Sequence, residues 1–75
     1  MSTQLNGTIE ILGLDVEDSV VKGMALDAGE GEDPQAALDD WADHMFANPA
    51  VTNAVIVRWI DWDDGRSEIL AERKR

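Results

Sequence analysis

The chain has no cysteine, a single histidine and only six basic residues among 75. Without cysteine there is no disulfide framework and no thiolate zinc site, and nothing points to an oxidising compartment. No apolar run approaches the ~20 residues a membrane helix needs. The start Met1-Ser2-Thr3-Gln4 carries neither a basic-then-apolar signal pattern nor a myristoylation glycine. The expectation is a cytoplasmic protein, neither secreted nor membrane-bound. Its Asp, Ala, Gly and Val content with free use of Trp suggests coding by a GC-rich bacterium or its phage. In a phage setting the location would be host cytoplasm or virion.

The chemistry of catalysis is equally sparse. No glycine-rich phosphate loop follows a strand, and the Gly29-Glu30-Gly31-Glu32 stretch carries acids that repel phosphate. Ser2, Ser19 and Ser67 have no base at a recognisable spacing. His44 has Asp40 four residues before it, the spacing of a base with its orienting carboxylate, but also that of an ordinary ion pair on a helix surface. Asp61-Trp62-Asp63-Asp64-Gly65 matches a calcium loop at positions one, three and twelve (Glu72). It fails at five and six, where Gly65 and Arg66 stand. A hairpin turn accounts for those residues better. The sequence therefore predicts no enzyme, no cofactor, no metal and no small-molecule substrate.

What the chain does have is acid and apolar surface. Sixteen acids against six bases give a net charge of −10. Residues 1–57 contain eleven acids and the lone base Lys22, whereas residues 58–75 contain five of each. Such a charge repels nucleic acid and anionic lipid and attracts basic protein surfaces. It can also serve solubility alone. A chain of this length forms one domain, 1–75, and buries only about 60% of its unfolded surface, so its stability margin is thin.

Thr52 to Arg73 reads as a β-hairpin. Its first arm, Asn53 to Trp62, is rich in β-branched and aromatic residues, and Asp63-Asp64-Gly65 turns it into the shorter second arm. A two-residue turn would set Asp61 against Glu68, and facing like charges are unfavourable. A three-residue loop with Gly65 left-handed and a bulge at the turn avoids this. That register pairs Ile60 with Glu68, Arg58 with Leu70 and Ile56 with Glu72, and it places Arg58 diagonally between Glu68 and Glu72. One face then collects Val55, Val57, Trp59, Ile69 and Ala71 as a core face. The other carries Ile56, Arg58, Ile60, Trp62 and Leu70. A solvated sheet face should be mostly polar, so this second face is expected to be covered by a partner.

Upstream, residues 1–7 read as a loose arm, and Thr8 to Leu14 as a strand with Ile9 and Ile11 on one side and Glu10, Leu12 and Leu14 on the other. Residues 15–28 fit either a turn and returning strand, Ser19 to Leu26, or a helix capped by Asp15. The Val20-Val21 pair and the mid-segment Gly23 favour the strand. An acidic flexible loop over 27–33 leads to a helix over 33–48. Asp33 is its N-cap, Pro34 its first residue and Asn48-Pro49 its stop. Leu38, Trp41, Ala42, Met45 and Phe46 make its apolar stripe.

The expected fold is α+β: ββαββ, a mostly antiparallel four-stranded sheet with one helix across a face, with βααββ as the alternative. The expected function is a non-catalytic protein–protein interaction module, a small accessory subunit or a homo-oligomer. It would bind a protein partner or itself through the second hairpin face. The competing reading is a DNA mimic that inhibits a nucleic-acid-binding protein, displaying Asp27, Glu30, Glu32, Asp33, Asp39, Asp40 and Asp43 as stand-ins for phosphates.

Overall fold

The computed structural model describes residues 5–29 and 31–75. The expectation for the arm falls on residues 1–4 in large part, and that for Glu30 entirely; both lie outside the described residues. Strand β1 (Gly7–Leu14) returns as β2 (Val20–Ala28). Asp15 organises the turn between them, its Oδ1 accepting the N–H of Glu17 and of Ser19 at 2.9 and 3.0 Å. The βααββ alternative is excluded. The register against β1, unbroken from Gly7 to Gly13, also draws Asp27 into β2, opposite Thr8, so it is not part of the following loop.

Helix α1 (Pro34–Phe46) starts at the expected cap. The Asp33 carboxylate accepts the N–H of Gln35 and Ala36, satisfying two of the donors that every helix start leaves unpaired. Its far end is closed by the opposite end of the chain. Arg75 donates to the carbonyls of Phe46 and Val51, and its guanidinium lies 5.6 Å from the Phe46 ring centroid. A cation there also suits the negative end of the helix dipole. Arg73 pairs with Asp39, and Lys74 with Glu72. Arg73 and Arg75 thus tie the basic end of β4 back to the helix.

Strands β3 (Ala54–Asp61) and β4 (Ser67–Lys74) complete one antiparallel sheet of order β2-β1-β3-β4. The helix crosses one face. Ile9 and Ile11 of β1 and Val55 and Val57 of β3 meet Leu38, Ala42 and Met45 there, with Ala28, Trp41, Phe46 and Trp59 around them. Val51, in the loop before β3, is fully buried against Gly13, a core position that periodicity could not reveal because the loop has none.

The hairpin differs from expectation in one respect that matters. Its loop has four residues, 62–65: Asp61 N–H donates to the Arg66 carbonyl, and the Gly65 N–H donates to the Asp61 carbonyl, each at 2.9 Å. The carboxylates of Asp61 and Asp64 accept the N–H groups of Asp63 and Arg66, which is why a turn this acidic is locally stable. Near the loop the pairs are Ile60 with Ser67, Trp59 with Glu68 and Arg58 with Ile69. The register then shifts, and Val57 faces Ala71 and Ile56 faces Glu72. The extra residue is Leu70. The bulge therefore lies within β4, not at the turn.

Two assignments are corrected by that bulge. Ile69, expected in the core, is 62% exposed on the helix-free face. Leu70, expected on that face, lines a hollow on the helix side with Trp59 and Pro34. Packing decides this: the shift lets Leu70 cover Trp59, which a strict alternation would have left beside Ile69.

Gly65 does adopt the left-handed conformation, φ +69°, and nothing lies within 4 Å of where its Cβ would project. A substitution there is resisted by the backbone alone. Gly65→Val should lower the unfolding free energy by about 1–2 kcal/mol in a urea titration, and Gly65→Asn by clearly less. Equal costs would mean that position 65 is not held left-handed.

Candidate functional site

The helix-free face is built from the residues that alternate away from the core. At its centre Arg58 of β3 stands opposite Glu10 of β1. Its Nε and Nη2 donate to Glu10 Oε1 at 2.8 and 2.5 Å. The sequence expectation paired Arg58 with Glu68 and Glu72. Glu68 instead faces the helix side opposite Trp59, and Glu72 binds Lys74. The cause is strand order: β1 lies against β3, so its single carboxylate on this face reaches the guanidinium first.

On one side of this ion pair is a shallow hollow of about 370 Å³. Leu12, Leu14 and Ile56 form its floor and are themselves only 5%, 8% and 7% exposed. Leu12 gains that cover by leaning over Gly23, where a Cβ would stand 2.9 Å from its Cδ2. This packing explains a mid-strand glycine. Val20 and Ile69 wall the hollow and are 55% and 62% exposed, and Asp18, Glu72 and Lys74 rim it. On the other side of the ion pair sits Trp62, half exposed. Its backbone N–H donates to the Asn6 carbonyl and its indole Nε1 to Thr8 Oγ1, at 3.2 and 2.9 Å. Ile60, opposite Thr8, completes that corner.

Four of the five residues assigned to this face from sequence, Ile56, Arg58, Ile60 and Trp62, come together on it. Leu70 does not, and Ile69 takes its place. Leu12, Leu14 and Val20 were missed as members. The alternation of Leu12 and Leu14 with Ile9 and Ile11 carried that signal, but it became meaningful only with β1 placed beside β3. On this face Arg58 and Lys74 oppose Glu10, Asp18, Asp27 and Glu72, a net of −2 in a chain of −10.

The acidic residues do not form one surface. Asp27 lies on the helix-free side of edge strand β2, whereas Asp39, Asp40 and Asp43 lie on α1. Asp33 caps the helix, and Asp39 is held by Gln35 and Arg73. Glu32 and Pro34 border a smaller hollow of about 240 Å³ with Trp59, Leu70 and the oppositely charged Arg66 and Glu68.

His44 packs edge-on against Trp41, ring centroids 5.7 Å apart at 83°. No group of three or more His, Asp or Glu among the described residues is placed to hold a metal ion. No helix there is long and apolar enough to cross a membrane. Set against known protein families, curated proteins and solved structures, the chain has no significant match.

Proposed function

We propose that this chain is a non-catalytic protein-binding module, an accessory subunit or homo-oligomer, that works through the helix-free face of its sheet. The observation carrying this reading is the apolar hollow floored by Leu12, Leu14 and Ile56, walled by exposed Val20 and Ile69 and flanked by exposed Trp62. A sheet needs only one face buried to be stable, so a second face this apolar is costly in water unless something covers it. The face carries a shallow hollow beside a half-exposed tryptophan, and tryptophan is over-represented among residues that dominate binding energy.

The bulge supplies the test. The binding partner is isolated from the native source on the immobilised chain, purified, and titrated by calorimetry against variants. Ile69→Glu is expected to change unfolding stability by less than about 0.5 kcal/mol, since the side chain is already exposed, and to weaken binding at least tenfold. Leu70→Glu is expected to cost stability, because it introduces a charge beside Trp59 on the packed side. Undiminished binding by a folded Ile69→Glu protein would remove this reading.

A further inference from the structure

We infer that the open edge of β2, with the step it forms beside α1, is a docking site for an extended, cationic segment of a partner protein, which adds to the sheet as a fifth strand. This surface is separate from the helix-free hollow, and the inference does not depend on what binds there.

The two edges of the sheet are built differently. Strand β4 carries the bulge at Leu70 and four charged side chains, and Arg73 holds it to the helix, all devices that discourage further pairing. Strand β2 is nine residues long without proline, and its only charges are Lys22 and Asp27. Val20, Val21 and Leu26 are exposed along it. In an antiparallel strand the backbone groups of successive residues turn to alternate sides. The Asp61 N–H donates across the hairpin to Arg66, so Ile60 turns its groups to Thr8 of β1, and Ile9 turns its own to Leu26 of β2. By the same alternation Met24 bonds to β1. Gly23, Ala25 and Asp27 therefore present their N–H and C=O groups to the open edge.

Helix α1 packs over β1, β3 and β4, so β2 forms a step beside it. On that step Ile9, Leu26, Ala28 and Ala37 enclose an apolar notch of about 150 Å³, with Glu32 at its border. An apolar cavity of about this size accepts a benzene-sized group, so the notch has room for one apolar side chain. A strand bonded to the edge, about 4.8 Å from β2, lays alternate side chains on this step and the others beside Ala25 and Asp27. Charge selects the occupant. Exposed acids stand at both ends of the edge, Glu17 and Asp18 before β2 and Asp27 and Glu32 at its close, with Lys22 the one cation between them. A second copy paired antiparallel would set the start of one β2 beside the end of the other, acid against acid. A partner segment with basic residues near its ends and an apolar residue at the notch meets no such repulsion. Main-chain bonds would then supply affinity, and notch and charge the selectivity.

A blocked nonapeptide alternating lysine with valine is the probe, and a glutamate–valine peptide is its control. Binding to the full chain is followed by NMR amide exchange at low salt. The lysine–valine peptide should bind with a Kd of about 1 mM or tighter and slow exchange at Gly23, Ala25 and Asp27 at least about tenfold, and the control should do neither. Ala25→Pro removes the central outward N–H at an edge position where proline is tolerated, so the chain should stay folded and bind at least about tenfold more weakly. Glu32→Gln should weaken binding about twofold, whereas Asp43→Asn, which removes the same charge from the helix, should leave it unchanged. No binding at about 1 mM, binding without protection of those three amides, or full affinity in a folded Ala25→Pro chain overturns the inference. So does protection that rises with protein concentration in the absence of peptide, because the edge would then be taken by a second copy.

Discussion

Gly13→Val is expected to cost about 3 kcal/mol or more, enough to leave a domain of this size largely unfolded under mild denaturant. The backbone at Gly13 is ordinary; the obstruction is Val51. A Cβ at position 13 would stand 2.6 Å from Val51 Cγ2 and 3.1 Å from its Cγ1. Val51 is fully buried, with Ile11 and Val55 in the same core, so it has nowhere to retreat. Gly13→Ala alone should cost about 1–3 kcal/mol. The contact is specific enough to be separated from general damage. In a Val51→Ala background, Gly13→Ala should cost much less than it does in the wild type, because the new methyl fills part of the space vacated. Additive losses in urea titrations would mean that the loop at Val51 does not press on β1 in solution.

Arg58→Ala is the second substitution expected to do real harm, about 1–3 kcal/mol. It leaves the Glu10 carboxylate, only 23% exposed, without the two donors that offset its partial desolvation. The pair is better shielded than a surface ion pair, whose contribution is typically below about 1 kcal/mol. A double-mutant cycle with Glu10→Ala should give a coupling above that surface range, and cycles with Glu68→Gln or Glu72→Gln should give almost none. A strong coupling to Glu68 would restore the alternating hairpin register and remove the bulge at Leu70.

The two substitutions also mark how far the residue pattern reaches. Gly13, Gly23 and Gly65 were all visible, but only Gly65 could be interpreted locally, because a turn that follows two aspartates demands a left-handed residue near its end. Gly13 and Gly23 are glycines for the sake of side chains distant in sequence, Val51 and Leu12. Likewise the cap role of Asp33 was legible from its place before Pro34, whereas the roles of Asp61 and Asp64 as turn acceptors came only with the structure.

The sequence by itself determined the C-terminal hairpin, the Asp33-Pro34 helix start, the turn at Gly65 and the division of β1 into an Ile9–Ile11 face and a Leu12–Leu14 face, and it favoured without deciding a strand over residues 15–28. These depend on periodicity, capping and backbone sterics, which act within a few residues. Tertiary structure alone decided that β1 lies between β2 and β3, that Arg58 therefore meets Glu10, that Leu70 bulges so that Ile69 faces outward, and that Arg75 closes the helix. Each of these is a choice among locally equivalent arrangements. Such a choice is made by whichever non-local neighbours pack best and satisfy the buried polar groups, and no single segment contains both partners.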